Sequence, residues 1–362
     1  MKIWQVAADF PPNTGGVAAH VYELSRSLSD LGENVTVQTT VACGGGDQVV
    51  EKFSINRIRV PRFQPFYSLF LKYFLSKHEA IEKPDILHIH GIKPLVPCRG
   101  LKAPVVFTNH TSGFLKRIAS GKRASRRIGA RLEHVSHLLA PSEELLDAST
   151  KAGYTGASTY IPNGVDVKRF QPSGKNLRSE LNLAEEELVI LVARRLVPKN
   201  GVLDFAKSLK FVGSIKFKVI IAGDGPEIEA IRKELSSSGL LDRVIFMGNV
   251  SNAEMPDVYR TANFSVLPSH MEATSITGLE SLATGLALVG TRVGGIPELI
   301  SSEVNGYLVE KESPAEMGQA IQRCLSNPDR LKYFGANSLK RSKDFSWPKI
   351  AEKTLSAYRN LL

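Results

Sequence analysis

Pro268–Glu298, PSHMEATSITGLESLATGLALVGTRVGGIPE, is the stretch from which the rest of the chain is read. Ahead of it, Phe264–Leu267 is an apolar run that ends in Pro268, as a buried strand does where it runs out into a loop. The loop carries Glu272. Ser275–Thr284 follows, with Ile276, Leu279 and Leu282 at helical spacing and Glu280 eight residues after Glu272. Gly285 stops that helix, Leu286–Gly290 is a second short strand, and Gly294, Gly295 and Pro297 open another turn. In an open parallel sheet, ligands sit in the crevice beyond the strand C-termini, where helix N-termini favour anions. Two carboxylates, a helix start and a glycine turn therefore meet on one rim. Taken alone, the glutamates fit a solvated helix face and a loop cap equally well, so the remaining residues decide.

Working outward, the first half alternates short apolar runs with helical patterns. Ile3–Ala8 reads as a strand, Gly16–Leu31 as a helix, and Val35–Thr40, Ile55–Val60, Asp85–His90, Val105–Asn109, Val135–Ala140 and Ser158–Ile161 as further strands. Periodicity breaks over Asn163–Asn182, around Pro172-Ser173-Gly174, and a second series follows with Leu188–Ala193, Phe217–Ala222 and Val244–Met247. The tail after Pro314 is helical in pattern throughout. Runs this apolar belong to parallel sheets covered on both faces. The expected class is α/β, with two doubly wound, Rossmann-like domains over 1–168 and 169–345 and a cleft between them.

With 362 residues, 43% hydrophobic and 23% charged, the chain has the composition of an ordinary globular protein of two domains. Cys43, Cys98 and Cys324 are an odd number without CxxC spacing, which suggests neither a disulfide framework nor a structural zinc site and fits a reducing compartment. MKIWQVAADFPP does not read as a signal peptide, and no apolar run is long enough to span a membrane, so a cytoplasmic location is expected. The net charge of +10 is uneven: Lys116, Arg117, Lys122, Arg123, Arg126, Arg127 and Arg131 fall in one stretch without an acid. Such a cluster is a solvated helix face or a site for phosphates, anionic lipid or nucleic acid. Nearby, Phe63–Leu75 (FQPFYSLFLKYFL) sets Phe66, Tyr67, Phe70, Tyr73 and Phe74 on one helical face. Core packing is the expected reading, and an interfacial helix the minor one.

Several residues carry candidate chemistry. In Pro11–His20 (PPNTGGVAAH), Gly15 and Gly16 leave room for a bulky anion at a helix N-terminus, although no GxGxxG is present. His110 lies at the C-terminal end of a strand, on the ligand rim. His88 and His90 alternate on another strand and share a face, a metal pair without a visible third ligand, for which satisfied packing is the simpler reading. Arg195 and Lys199 flank a strand-to-helix junction, where paired cations can hold a departing diphosphate without a metal. In Gly223-Asp224-Gly225-Pro226-Glu227 the glycines serve the turn, Pro226 the helix start and Glu227 its first turn, while Gly223 lets a nucleotide lie close. No metal site is expected.

Together these pieces resemble the retaining glycosyltransferases of family four, of GT-B fold. GGVAAH (15–20), PNGVD (162–166), RLVPKNG (195–201), GDGPE (223–227), E-x7-E (272–280) and GGIPE (294–298) occur in the family's order across nearly the whole chain. The resemblance implies that Gly15 and Gly16 lie beside the donor phosphates and that Arg195 and Lys199 neutralise the diphosphate. Glu272 would bind the donor sugar, Glu280 would accept hydrogen bonds from the ribose, and His110 would contact the sugar and help position the acceptor. Asn163, Gly223 and Thr277 join the donor-binding set. The last helix, 346–362, would cross back onto the first domain. Where the family reads lysine directly before glycine, this chain has Asn200, with Lys199 one place earlier. Where it often has Gly-Phe-Gly after the first glutamate, this chain has Ala273-Thr274-Ser275-Ile276.

The implied activity is metal-independent transfer of a sugar, with retained configuration, from a UDP- or GDP-type donor to a hydroxyl of a saccharide or lipid-linked acceptor. No cofactor beyond the donor substrate and no nucleic acid are expected, and the setting would be cell-surface polysaccharide or glycolipid synthesis. A phosphorylase or epimerase on the same fold would differ in releasing sugar phosphate or in needing no acceptor. A non-catalytic polyanion-binding protein would show steep salt dependence and no turnover.

Overall fold

The computed structural model describes residues 1–13, 15–41, 48–50, 52–61, 63, 66–110 and 112–362. Thr14 of the first glycine turn, Cys43, and Gln64 and Pro65 of the aromatic segment lie outside the described residues. The chain forms two compact units, Met1–Gly164 with Trp347–Leu362, and Val165–Ser346.

The first unit is built on strands β1 (Lys2–Ala7), β2 (Asn34–Val41), β3 (Gln48–Val50), β4 (Phe53–Arg59), β5 (Ile86–His90), β6 (Val105–Thr108), β7 (His137–Ala140) and β8 (Ala157–Tyr160). They lie in the order β3-β4-β2-β1-β5-β6-β7-β8. All neighbours are parallel except β3 and β4. That antiparallel edge departs from the wholly parallel sheet expected, because a strand of three residues shows no periodicity to read. Helices α1 (Gly16–Asp30), α2 (Phe66–Glu82), α3 (Ile92–Leu95), α4 (Ser112–Ala119), α5 (Lys122–Leu132) and α6 (Glu143–Lys151) connect them. Strand alternation puts Ile3, Ile86 and Val106 into the core with Val21, Leu24 and Leu28 of α1. The same alternation carries Gln5, His88, His90 and Thr108 onto that face, all buried.

Helix α2 corrects the sequence reading. Its buried stripe is Tyr67, Leu71, Leu75 and Glu79, one residue every four. Phe66, Leu69, Phe70 and Tyr73 face outward, Tyr73 being 70% exposed. Of the aromatic face expected in the core, only Tyr67 is buried, since the helix turns its i, i+4 aliphatic row inward. The seven cations of α4, α5 and their junction are all exposed, and among the described residues none has an ion-pair partner.

The second unit has strands β9 (Val189–Ala193), β10 (Lys218–Ala222), β11 (Val244–Gly248), β12 (Phe264–Leu267), β13 (Ala287–Thr291) and β14 (Gly306–Val309), in the order β11-β10-β9-β12-β13-β14. All are parallel. Helices α7 (Val202–Ser208), α8 (Ile228–Ser237), α9 (Met255–Thr261), α10 (Ile276–Ala283), α11 (Pro314–Leu325) and α12 (Pro328–Ser342) cover both faces. Ile190 and Val192 enter one core, while Val189, Leu191 and Ala193 enter the other. This explains why these strands read as continuous apolar runs. Strand β14, GYLV at the sheet edge, was not visible as an apolar run. Helix α8 begins at Ile228, so Pro226 precedes it and Glu227 is its N-cap rather than a first-turn residue. The turn there is held by backbone bonds from Gly223 N to Gly248 O and from Glu227 N to Leu196 O, which delay the helix.

Helix α13 (Trp347–Arg359) belongs to the first unit and packs against α1, burying Trp347, Ile350, Ala351, Leu355 and Tyr358. Among the described residues, no helix is long and apolar enough to cross a membrane.

Candidate functional site

Each unit presents one candidate site, and both lie where a doubly wound sheet reverses its strand order. In the second unit, neighbours β9 and β12 are the strands from which the chain winds in opposite directions, and a crevice opens beyond their C-terminal ends. Arg194 and Arg195 follow β9; the loop carrying Glu272 follows β12.

These loops are locked together. His270 N and Met271 N both donate to the carbonyl oxygen of Lys199, at 2.9 and 3.2 Å, which ties the Lys199 turn to the Glu272 loop. Gly294 has φ +52, and a Cβ there would stand 1.7 Å from the carbonyl oxygen of Glu272, so only glycine lets the GGIPE turn pass. A Cβ on Gly223 would lie 1.9 Å from the carbonyl oxygen of Arg194, which fixes the GDGPE turn against the same junction.

The side chains divide into paired and free. Arg194 forms an ion pair with Glu272 and donates from Nη2 to Ser275 Oγ at 2.8 Å. Ser275 is also the N-cap of α10, accepting from Gly278 N at 3.2 Å, so it joins the Arg194–Glu272 pair to the helix start where Thr277 stands. Tyr259 donates to Glu280 Oε2 at 2.7 Å. Burial pushes the Glu280 carboxyl up to about 7 against the lowering effects of the Tyr259 hydrogen bond, Arg169 and Arg194. Arg195 and Lys199 are exposed, and among the described residues neither side chain has a partner. Asn200, which stands in the place of the family lysine, is buried and donates from Nδ2 to the Arg195 carbonyl, closing the turn.

The first unit reverses its order between β1 and β5, and there it gathers histidines. His20 comes from α1, His90 from the end of β5 and His110 from the loop after β6. His90 Nδ1 lies 2.9 Å from His110 Nε2, and the His20 and His110 ring centroids are 4.4 Å apart. His20 Nδ1 is 2.8 Å from Asn163 Oδ1, so Asn163 belongs to this cluster. Nitrogen atoms of His20, His90 and His110 all fall within 4.8 Å of one another, the spacing of a possible metal set, and supply the further ligands that were not visible beside His90. His88 is not part of that set; it bonds Tyr358 and Thr108 at 2.6 Å each. Burial, the largest cause, pushes His20 down to about 4 and His88, His90 and His110 well below the ordinary imidazole value. All four are therefore neutral at pH 7. Gly15 caps α1 beside them with nothing within 4 Å of the position its Cβ would take, and Gly16 is the first helical residue.

Sequence reasoning did not single out Arg194, Tyr259, Ser275, His20, Gln5 or Tyr358. The polar Gln5 inside the apolar strand KIWQVA and the doubled Arg194-Arg195 were the available signals.

The chain is 26% identical over 388 residues to an uncharacterised glycosyltransferase of Methanocaldococcus jannaschii, covering 99% of this chain and 98% of that one. It is 26% identical to D-inositol 3-phosphate glycosyltransferase 2 of Catenulispora acidiphila, covering 96% of this chain and 90% of the relative. The fold is shared with Anabaena HepE, solved in complex with UDP and glucose, at a TM-score of 0.80 and 19% identity with complete coverage of both chains. Residues 14–169 match the model of Glycosyltransferase Family 4, and residues 174–341 that of Glycosyl transferases group 1. The chain is thus a glycosyltransferase of the family-four, GT-B type.

Proposed function

We propose that the protein transfers a hexose, with retention of configuration and without a metal ion, from a UDP- or GDP-type nucleotide sugar to a hydroxyl of an anionic or lipid-linked acceptor. The observation that carries this reading is the pair of exposed, unpartnered cations Arg195 and Lys199 at the sheet reversal, beside a Glu272 that Arg194 already holds. Breaking the anomeric carbon–oxygen bond leaves its electron pair on the diphosphate. Preorganised cations at that place stabilise the growing charge more than they stabilise the ground state. Lys199 takes the lysine role, because Asn200 is held inside the turn. Glu272, oriented by Arg194, is assigned to the hydroxyls of the donor sugar and Glu280 to the ribose. Gly15 and Gly16 are assigned to the phosphates, and Asn163, Gly223 and Thr277 to the rest of the donor-binding set.

The donor assignment is supported by the UDP bound in the HepE complex, and the anionic acceptor by the inositol phosphate that names the Catenulispora relative. The outward aromatic row of α2 and the unpaired cations of α4 and α5 fit peripheral contact with an anionic membrane from the cytoplasmic side. A role in cell-surface polysaccharide or glycolipid synthesis follows.

A panel of UDP-, GDP- and ADP-sugars tests the proposal, by thermal shift and then by hydrolysis and transfer in EDTA. One donor class should stabilise the protein and turn over. Stabilisation by none, or turnover only after a divalent ion is restored, would reject it. Co-sedimentation at low salt should favour anionic over neutral vesicles; equal binding rejects the membrane contact.

A further inference from the structure

Three histidines of the first unit have their proton positions set by two carboxamides. Asn163 Oδ1 can only accept, so His20 Nδ1, 2.8 Å away, carries the proton and its Nε2 is bare. Gln5 lies at the centre of a longer chain. Its Nε2 donates to the Tyr358 hydroxyl at 3.2 Å, and its Oε1 accepts from His90 Nε2 at 2.5 Å, the shorter contact being the one to oxygen. Tyr358 then gives its own proton to His88 Nδ1, and His88 Nε2 donates to Thr108 Oγ1. With the proton on Nε2, neutral His90 has a bare Nδ1, and that atom accepts the Nε2 proton of His110. Gln5, His88 and Tyr358 are fully buried, so water does not rescue the opposite arrangement.

The geometry points to Gln5 and Tyr358 as positioning residues that hold His110 in the Nε2–H form, so that His110 Nδ1 and His20 Nε2 present two bare acceptors to substrate hydroxyl groups. At these histidines the first unit thereby reads donors of hydrogen bonds, the hydroxyls of a sugar or polyol, while a phosphate is left to the Gly15–Gly16 turn and to Arg195 and Lys199. The substrate part of this inference rests on the glycosyl-transfer reading; the tautomer part does not. It also gives α13 a chemical task beyond packing, since Tyr358 orients the Gln5 amide.

The test is a nitrogen-15 spectrum of the imidazoles in the intact, ligand-free protein at neutral pH, assigned with His110→Asn. Protons are expected on Nε2 of His90 and His110 and on Nδ1 of His20. A proton on His110 Nδ1 would overturn the assignment, because Gln5 would then present its NH2 to His90. Gln5→Met should mix the His110 tautomers and lower kcat/KM about tenfold, the worth of one neutral hydrogen bond. Gln5→Glu, still an acceptor for His90, should restore both. An unchanged His110 spectrum in folded Gln5→Met overturns the positioning role. Where Gln5→Met does not fold, Tyr358→Phe serves: freed of its phenol, the Gln5 amide turns over and both His110 forms appear, and a single unchanged form rejects the role. The spectra need no donor. The expected tautomers without sugar transfer would therefore sink only the proposed activity, and the opposite tautomers with transfer only this inference.

Discussion

At the reversal of its sheet the first unit gathers four imidazoles that burial keeps neutral, while at the matching place the second exposes Arg195 and Lys199 beside the Arg194–Glu272 ion pair. The winding at the reversal is the same in both sheets, and the electrostatics differ. A shared winding thus fixes where a ligand can lie in each unit, and the residues at the strand ends fix what is recognised there. Lone pairs on neutral rings suit hydroxyls, and free cations suit phosphates.

The largest expected effect is on the charged side. Arg195→Ala should lower kcat by roughly a hundredfold, as loss of one preorganised donor to a developing anion does, with Arg195→Lys intermediate. Steady-state kinetics at saturating donor measure this, and near-normal turnover would remove Arg195 from the chemistry. Arg194→Ala leaves Glu272 without its partner in a mostly buried setting and should cost about 3 kcal/mol of stability. Denaturant unfolding checks it, and a loss below about 1 kcal/mol would mean that Glu272 is solvated rather than held.

The two regions should also respond to pH in opposite senses. Glu280 has a folded value raised from 4.5 to about 7, so its protonated form is favoured in the folded state. The stability it contributes is complete below 4.5 and is lost as pH rises through about 7. Glu280→Gln should therefore stabilise the protein above pH 7 by ~3 kcal/mol while weakening donor binding. His20 is lowered from 6.5 to about 4, so its contribution is present above 6.5 and is lost as pH falls towards 4. His20→Phe should flatten that acid limb, which is worth ~3 kcal/mol in the wild type. Melting curves from pH 4.5 to 8.5 separate the two, and parallel pH profiles for both variants would erase the contrast. The smallest effect should be at the surface, where Arg126→Glu weakens binding to anionic vesicles by ~1–2 kcal/mol at low salt and by less at high salt.

Much of this was legible in the sequence, and unevenly so. Phe264–Leu267 and the helix after Ser275 stand where the apolar period put them, because a parallel strand buried on both faces and a capped helix leave strong local marks. The edge strands β3 and β14 did not, the first being three residues long and the second a short GYLV that opens on a glycine. Helix α2 misled because its many aromatics outweighed the plainer Tyr67–Leu71–Leu75 row that the core takes. In the second unit Arg195, Lys199, Glu272 and Glu280 sit within motifs that show in the sequence, although Arg194, the partner of Glu272, was not singled out. In the first, the residues that matter are polar side chains inside strands, Gln5, His88 and His90, and Tyr358, which arrives from the far end of the chain. The alternation of His88 and His90 shows in the sequence as a shared face, but Gln5 and Tyr358 join them only in the folded sheet, so no local pattern marks those two.

The contrast between the units is tested most directly by calorimetric affinity for the preferred nucleoside diphosphate in EDTA, comparing wild type, Arg195→Ala and His110→Ala. Binding should persist without a divalent ion, fall at least tenfold in Arg195→Ala and stay within about twofold of wild type in His110→Ala. Binding that requires a divalent ion, or that His110→Ala weakens as much as Arg195→Ala does, would contradict the assignment of the diphosphate to Arg195 and of a hydroxyl to His110.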